Sequence, residues 1–199
     1  MDLGGPVMVA SDEERVLEEV AALDVQPVLT ARTHRSGTER VAEVAARPEV
    51  ADSDVILNLQ GDEPFLPRGA ALGAIQRVRD GDDVGTAAQP LDAAAWRNPS
   101  RVKVEIDGHG RARRFYRTPT PAACHVPAPT FHHLGVYAYA PATLRRWVAA
   151  APTPDELDES LEQLRPLALG LTIGVAVVAE PVAHGIDTED DLRMAEALL

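Results

Sequence analysis

A short apolar run followed at once by a polar turn constrains the fold of this chain most. Residues 55–57 (VIL) are of the kind found in a strand buried on both faces of a parallel sheet. The run ends in residues 60–64 (QGDEP), where the glycine permits a tight turn and the proline stops the strand ladder. The sequence therefore predicts a buried strand whose C-terminal end carries two carboxylates.

The position of Asp62 in this turn points to a metal or to a simple turn cap. Ligands of open α/β sheets bind at the C-terminal edge of the strands. A carboxylate there is well placed to bind Mg²⁺, a hard cation held by one or two protein carboxylates together with substrate phosphates. Asp, Gly and Pro are also ordinary turn residues. The pentapeptide alone leaves both interpretations open.

The rest of the N-terminal half alternates between strand and helix patterns. This alternation indicates a three-layer α/β sheet. The predicted strands cover residues 6–10, 25–29, 55–57 and 84–90, and the predicted amphipathic or apolar-faced helices cover residues 12–23, 39–47 and 68–79.

After residue 99 the pattern changes to that of an antiparallel flap. A turn beginning with Asp107 and Gly108 joins two strand patterns in a hairpin. The sequence predicts a single α/β domain over residues 1–199, with the flap inserted at about 102–131. The further predicted elements are strands at 102–106, 112–116, 134–139 and 173–178, helices at 141–147 and 159–165, and a last helix capped by Thr188.

Charge and cysteine content exclude several classes of function. A formal net charge of -12 and a pI near 4.9 argue against a nucleic-acid partner, which requires a basic surface. The single cysteine, Cys124, excludes an internal disulfide and fits a reducing cytoplasm. No apolar run is long enough to span a membrane, and the N-terminus has no signal-peptide pattern. We therefore expect a cytoplasmic protein with neither a nucleic-acid nor a membrane partner.

Six blocks of sequence, in order, resemble the 3-deoxy-manno-octulosonate cytidylyltransferase (CMP-Kdo synthetase) family. The resemblance runs from about Val7 to the C-terminus. It implies a Rossmann-like nucleotidyltransferase fold, and an enzyme that transfers CMP from CTP to the eight-carbon sugar acid Kdo and releases pyrophosphate. It also implies a homodimer formed through the flap, and a place in lipopolysaccharide biosynthesis. The blocks are residues 34–40 (HRSGTER), 58–64 (NLQGDEP), 98–104 (NPSRVKV), 133–137 (HLGVY), 159–165 (ESLEQLR) and 185–192 (GIDTEDDL).

The resemblance also assigns roles to individual residues. It implies that Asp62 and Asp187 are catalytic and bind Mg²⁺. Arg117 offers a bidentate fork to a carboxylate, whereas the other implied substrate residues suit the hydroxyl groups of a sugar. The implied substrate-binding residues are Gln60, Arg117, His133, Tyr137, Glu162 and Gln163, and the implied nucleotide-binding residues are Ser36, Gly37, Thr38 and Arg40.

Each of these assignments has a structural alternative. Asp187 precedes Thr188 and could serve only to cap the last helix. His133 and Tyr137 could simply be buried beside the predicted strand. Glu162 and Gln163 could form a solvated helix face. The nucleotide-side residues could be a polar loop that ends in a helix cap at Thr38.

The chain departs from the family pattern at three places. Arg35 stands where the family usually has Gln, and His132 stands where it usually has Arg. A strand and a loop of the form GSxRLPGK, which the family has before the block at residues 7–12, do not occur in the 199 residues, so the first strand is expected to be missing. Two alternatives therefore stay open. One is a cytidylyltransferase for another acid, sialic acid-like or a phosphonate, and the other is an N-terminally truncated, non-catalytic homologue or partner subunit.

Overall fold

The computed structural model describes residues 4–119, 129–179, 185–186 and 188–197. In this part of the chain, no helix has both the length and the apolar character needed to cross a membrane. The strands are β1 (Met8–Ser11), β2 (Gln26–Leu29), β3 (Ile56–Leu59), β4 (Val84–Pro90), β5 (Lys103–Ile106), β6 (Ala112–Tyr116), β7 (Thr130–Tyr139) and β8 (Ile173–Val177). The helices are α1 (Glu14–Val20), α2 (Gly37–Ala45), α3 (Pro48–Ala51), α4 (Arg68–Arg79), α5 (Ala93–Arg97), α6 (Pro141–Ala149), α7 (Pro154–Glu159), α8 (Leu164–Ala168) and α9 (Glu189–Glu196).

The main sheet is mixed and is organised around the long strand β7. Its order is β6-β5-β7-β4-β8, and β3 pairs with the C-terminal half of β7 on the same side as β5. β7 is antiparallel to β3, β4 and β5, whereas β4 and β8 are parallel. The flap hairpin of β5 and β6 is therefore a continuation of the main sheet.

The expected burial of the central strand on both faces of a parallel sheet is wrong. β3 begins at Ile56, so Val55 lies outside it, and Leu59 at its end is exposed. Because β3 pairs only with the antiparallel β7 among the described residues, one of its edges has no strand neighbour.

A separate pair of strands forms the N-terminal part of the molecule. β1 and β2 are parallel, with Met8 opposite Gln26 and Ser11 opposite Leu29. Helix α2 contacts both β1 and β3 and so bridges the two sheets. In the described ranges no strand pairs with both β1 and β3, so one edge of each strand has no strand neighbour.

Two apolar clusters on opposite faces of the main sheet make the three layers. On one face, Ala70 and Ala74 of α4 pack on residues of β4 and β7. On the other face, Leu144 and Trp147 of α6 pack with Tyr139 and with further residues of the sheet. Strand β4 serves both clusters because successive side chains alternate between the faces. The predicted three-layer α/β fold is thus confirmed.

The predicted helix over residues 159–165 is wrong. α7 ends at Glu159, and Ser160 adopts a left-handed conformation with φ of 52° that turns the chain out of the helix. A second helix then begins at Leu164 and includes Pro166 in its first turn. Proline is tolerated there because the first N–H groups of a helix have no intrahelical acceptor. The turn at 160–163 that results carries two of the predicted site residues.

The helix caps agree in part with the sequence. Thr188 caps α9 in a reciprocal capping box with Asp191, as predicted. The cap of α2 is Ser36, whose hydroxyl accepts from the N–H of Glu39, and not Thr38. Helix α2 consequently starts two residues earlier than its apolar pattern indicates.

Candidate active site

An open cleft of about 510 Å³ lies where the loop after β3, the strand β7 and the turn between α7 and α8 meet. Sequence segments far apart in the chain supply its walls. The predicted site residues that line it are Thr38, Gln60, Asp62, Arg117, His133, Tyr137, Glu162 and Gln163.

Two glycines let the polar loop after β3 pack closely against distant segments. A methyl group at Gly135 would lie 3.1 Å from the Cγ of Glu63, and one at Gly185 would lie 2.9 Å from the carbonyl oxygen of Asp62. The N–H of Ile186 donates to the same carbonyl oxygen at 2.7 Å. The glycine-bearing segment at 185–186 is therefore held directly against the loop that carries Asp62.

The predicted metal ligands are only partly within the described chain. Asp62 is exposed on the wall of the cleft. Asp187 lies outside the described residues, although its sequence neighbours Ile186 and Thr188 lie within them. Within the described ranges no three His, Cys, Asp or Glu side chains are grouped to hold a metal ion. Asp62 offers a hard oxygen ligand, which fits Mg²⁺ because this ion takes one or two protein carboxylates and completes its shell with phosphates and water.

Arg117 joins the strand β6 to the turn after α7. Its Nε donates to the carbonyl oxygen of Glu159 at 2.9 Å, and one terminal nitrogen donates to that of Ser160 at 3.2 Å. The other terminal nitrogen reaches the carbonyl oxygen of Pro99 at 3.4 Å. A guanidinium has five N–H donors in a fixed fork. The remaining N–H groups of Arg117 can bind an anionic ligand, and the bonds to the backbone carbonyls hold the guanidinium in position.

A buried lysine lies beneath Arg117. The Nζ of Lys103, which is fully buried, donates to the carbonyl oxygens of Asn98 at 2.6 Å and Arg117 at 2.7 Å. Desolvation, together with the charge of Arg117, lowers the pKa of Lys103 to about 8. Sequence reasoning assigned it no role, although it is the only lysine in a chain that otherwise uses arginine.

The turn that carries Glu162 and Gln163 is held by a buried ion pair. The carboxylate of Glu156 in α7 receives a two-pronged set of hydrogen bonds from Arg165 in α8, one of them from Nε at 2.8 Å. Gln163 is buried, and Glu162 has a buried carboxylate oxygen, Oε2, without a hydrogen-bond partner in the described part of the chain. An acceptor of this kind suits a ligand hydroxyl because a buried polar atom without a partner is costly.

Two aromatic residues of β7 line the cleft in their neutral forms. Burial, with a smaller contribution from His132, lowers the pKa of His133 to about 3. Burial also raises the pKa of Tyr137, and the nearby carboxylate of Glu162 adds to the effect. The edge of Phe115 packs against the His133 ring at a centroid distance of 5.2 Å. Both side chains are therefore uncharged hydrogen-bonding groups at neutral pH.

Not all of the four implied nucleotide-binding residues line the cleft. Thr38 lines it, and Gly37 lies so close to Gln60 that an added methyl group would be 3.1 Å from Oε1. Ser36 is occupied as the cap of α2. The guanidinium of Arg40 pairs with the carboxylate of Asp12 at 2.9 Å and does not line the cleft.

The cleft also contains residues that sequence reasoning did not assign. His132 is buried on its wall, with Nδ1 at 2.9 Å from the amide nitrogen of Gln89. The sequence marked this residue only as a departure from the family pattern. Glu63 adjoins Asp62, and its place in the acidic pair was the available signal. The other unassigned wall residues are Ser100, Arg101, Val102, Gly135, Ser160, Leu161, Gly185 and Thr188.

Comparisons with known proteins agree with this architecture. A family model described as cytidylyltransferase matches residues 3–173. The chain is 48% identical, over 195 residues, to a 3-deoxy-manno-octulosonate cytidylyltransferase of Gemmatimonas aurantiaca, covering 94% of this chain and 75% of that protein. It is 39% identical to the enzyme of the same name from Methylibium petroleiphilum, covering 97% of this chain and 79% of that protein.

Solved structures extend the comparison to the fold. The structure of CMP:2-keto-3-deoxy-manno-octonic acid synthetase complexed with CTP superposes with a TM-score of 0.86 at 33% identity, covering 98% of this chain and 80% of that one. A putative glucose-1-phosphate thymidylyltransferase from Bacillus anthracis shares the fold, with a TM-score of 0.66 at 13% identity, over 96% of this chain and 74% of that one.

The layered α/β sheet and the matched family together define an enzyme of the nucleotidyltransferase class. Within that class, the chain belongs to the cytidylyltransferase family, among the 3-deoxy-manno-octulosonate cytidylyltransferases.

Proposed function

We propose that this protein transfers CMP from CTP to a 3-deoxy sugar acid such as Kdo and releases pyrophosphate. The observation that carries the proposal is the meeting of separate motifs in one cleft. Gln60 and Asp62 follow β3, the histidine and tyrosine lie on β7, and Glu162 and Gln163 come from the turn after α7. These groups can together bind an acid that carries several hydroxyls.

The cleft residues suit the separate parts of such an acceptor. The fixed fork of Arg117 suits the carboxylate of the sugar acid. The neutral ring of His133, the phenol of Tyr137 and the unpartnered oxygen of Glu162 suit its hydroxyl groups. An anomeric hydroxyl held in this way attacks the α-phosphate of CTP in line. Its oxygen bonds to the α-phosphorus, its proton passes to water, and the bond from the α-phosphorus to the departing pyrophosphate breaks. The contribution of these residues is positioning.

Mg²⁺ belongs to the same proposal. Asp62 and Asp187 would hold the ion, and Asp62 supplies the exposed carboxylate on the cleft wall. The bond from Ile186 to the carbonyl of Asp62 supports this pairing, because it anchors the residue that precedes Asp187. When bound, the ion supplies charge neutralisation on the phosphate oxygens.

The resemblance carries two further expectations into the proposal. We expect a homodimer formed through the flap of β5 and β6, to be measured by analytical ultracentrifugation. We also expect the enzyme to act in the cytoplasm, where CTP is made, and its product to serve lipopolysaccharide assembly.

The decisive experiment mixes the purified chain with CTP, Kdo and Mg²⁺ and follows pyrophosphate release and formation of the CMP-sugar. Sustained turnover supports the proposal. Turnover only with a sialic acid or a phosphonate acceptor would replace the proposed acceptor. A folded protein that consumes no CTP with any of these acids would contradict the proposal and favour a non-catalytic homologue.

A matched pair of variants ties any activity to the cleft. Asp62→Ala removes the carboxylate at the C-terminal end of β3, whereas Asp54→Ala removes an exposed one just before its N-terminal end. We expect the first variant to lose Mg²⁺-dependent CTP binding in calorimetry and the second to retain it. Equal binding by both variants would remove Asp62 from the metal site.

A further inference from the structure

A buried chain of hydrogen bonds ends at the ring of His133. The Oγ1 atom of Thr86, in β4, lies 2.7 Å from the carbonyl oxygen of Val136 and 2.9 Å from Nε2 of His133. Thr86 is fully buried, and so is its neighbourhood in the sheet. The three groups are shielded from water, so each must be satisfied by its neighbours.

These hydrogen bonds form at an irregularity in the pairing of β4 with β7. The pairing of β4 with β7 shifts from Thr86 opposite Tyr137 to Ala87 opposite Leu134, so Gly135 and Val136 have no partner residue on β4. The hydroxyl of Thr86 instead supplies a hydrogen-bond donor to the carbonyl of Val136. A threonine side chain thus takes the place of a missing backbone donor.

The donor and acceptor of each bond follow from the number of hydrogens that each group carries. A carbonyl oxygen can only accept, and a hydroxyl has only one hydrogen to donate. Because the hydroxyl of Thr86 donates to Val136, it must accept from the ring. The opposite arrangement would leave two bare oxygens 2.7 Å apart with no hydrogen between them. Nε2 of His133 therefore carries the ring hydrogen.

We propose that Thr86 is a positioning residue that fixes His133 as the Nε2–H tautomer, so that Nδ1 accepts a hydrogen bond from a hydroxyl of the acceptor sugar. This inference rests on the proposed function, because it assigns the atom that meets the sugar. The hydrogen bond to Thr86 uses Nε2, so Nδ1 is the ring nitrogen that this bond leaves for a ligand, and the ring lines the cleft.

The surroundings of the ring keep it neutral and in place. Burial depresses the pKa of His133 to about 3, so the ring holds one hydrogen at neutral pH. Phe115 packs edge-on against it, and Tyr137 lies beside it with ring centroids 5.4 Å apart. A neutral acceptor discriminates in favour of a hydroxyl and against a carboxylate or phosphate, which has no hydrogen to donate.

The first test needs no catalysis. Imidazole nitrogen NMR of the full chain at neutral pH, with His133 assigned by comparison with His133→Gln, distinguishes the two tautomers and the imidazolium. We expect the Nε2–H form. An Nδ1–H or a doubly protonated ring would overturn the inference.

The second test compares Thr86→Val with Thr86→Ser. The valine retains the shape but removes the hydroxyl, whereas the serine retains the hydroxyl. We expect the valine variant to raise the KM for the sugar acid about tenfold, the effect of one hydrogen bond. The KM for CTP should change less than twofold, and serine should restore both values. An unchanged KM with valine, or no restoration with serine, would overturn the positioning role.

The two tests separate this inference from the proposed function. If the wild-type chain does not bind or convert the sugar acid, the proposed function fails and the assigned partner of Nδ1 fails with it. The NMR result still decides the tautomer. If the wild-type chain is active but the ring is the Nδ1–H form, only the role of Thr86 is overturned.

Discussion

The N–H of Ile186 donates a hydrogen bond of 2.7 Å to the carbonyl oxygen of Asp62. The bond joins the polar loop after β3 to a segment more than a hundred residues later in the sequence. The close approach requires Gly185, since a methyl group there would lie 2.9 Å from the same carbonyl oxygen. Backbone geometry thus joins the two motifs that carry the proposed metal ligands.

Gly185→Ala should separate these motifs. The added methyl group meets a backbone atom, which cannot move aside as a flexible side chain can, so the loop itself must shift. Since misplacement of about 1 Å can cost about a hundredfold in rate, we expect kcat to fall at least tenfold while the urea midpoint changes little. Gly108→Ala is the control, because a methyl group there meets nothing within 4 Å. Wild-type kcat in Gly185→Ala would show that the contact does not set the geometry of the site.

Gly85→Ala should weaken the fold itself. The added methyl group would lie 1.9 Å from the carbonyl oxygen of Ala74, where α4 rests directly on β4. Overpacking of a core costs about 1–3 kcal/mol, and more when the backbone must move. We expect a loss in the free energy of unfolding at or above this range, measured by urea denaturation.

The control for Gly85→Ala is a substitution in α4, the helix that packs against Gly85. A methyl group at Gly69 meets nothing within 4 Å, so Gly69→Ala should stabilise the protein by up to about 1 kcal/mol through helix propensity. Equal stability of the Gly85 and Gly69 variants would contradict the observed packing of α4 on the sheet.

Much of the fold could be predicted because its signals are local. The bounds of α4 and β4 match the predicted residues 68–79 and 84–90. The cap of α9 at Thr188 and the hairpin of β5 and β6 also follow from short patterns. The split of the predicted helix at Ser160 could not be predicted, because a serine in a left-handed conformation has no sequence signal. Tertiary contacts of Arg117 with the carbonyls of residues 159 and 160 accompany this turn.

The candidate site could be predicted only through the resemblance. Without the resemblance, the sequence pointed only to Asp62, and it did not decide whether Asp62 is a metal ligand or a turn cap. The Nζ of Lys103 and the hydroxyl of Thr86 also donate to carbonyl groups distant in the sequence, those of Arg117 and Val136, and no local pattern predicts these two bonds. Arg40 illustrates the opposite case, since it lies in a matching motif but pairs with Asp12 outside the cleft.

Removing one partner of the buried pair of Glu156 and Arg165 should lower the free energy of unfolding strongly. Both side chains are less than 10% exposed, at 7% and 4%. Arg165→Met leaves a buried carboxylate without its cation, which costs about 3–5 kcal/mol in the free energy of unfolding. Urea denaturation measures this loss.

An exposed pair provides the comparison. Arg193 and Asp190 are 69% and 81% exposed, and Arg193→Met should change stability little because solvent screens the pair. The double variant Glu156→Leu/Arg165→Met should recover much of the loss, since it removes both charges. A loss in Arg165→Met no larger than that in Arg193→Met would contradict the structural role of the buried pair.

Burial of His133 should make the protein less stable in acid. Its pKa is about 3 in the folded protein and about 6.5 in an unfolded chain, so the unfolded chain binds one more proton between these values. The free energy of unfolding must therefore fall as pH falls through this window, by at most about 1.4 kcal/mol per pH unit from this residue. Above pH 6.5 its contribution should be constant.

His133→Gln removes that titration and should flatten the dependence of stability on pH between about 6.5 and 4. Urea denaturation at several pH values measures the slope. His109→Gln is the control, because His109 is exposed on the turn between β5 and β6. An unchanged slope in His133→Gln would show that the ring is not held neutral by burial.

Arg117→Lys should separate the role of the guanidinium fork from that of its charge. The arginine donates to the carbonyl oxygens of Pro99, Glu159 and Ser160 and still has N–H groups for a ligand. A lysine has three donors on one atom and cannot reproduce this fork. We expect the KM for the sugar acid to rise at least tenfold, and the KM for CTP to change much less. Arg113→Lys, at an exposed position of β6, should leave both KM values unchanged. Equal changes in the two KM values of Arg117→Lys would indicate that Arg117 supports the whole cleft and does not select the acid.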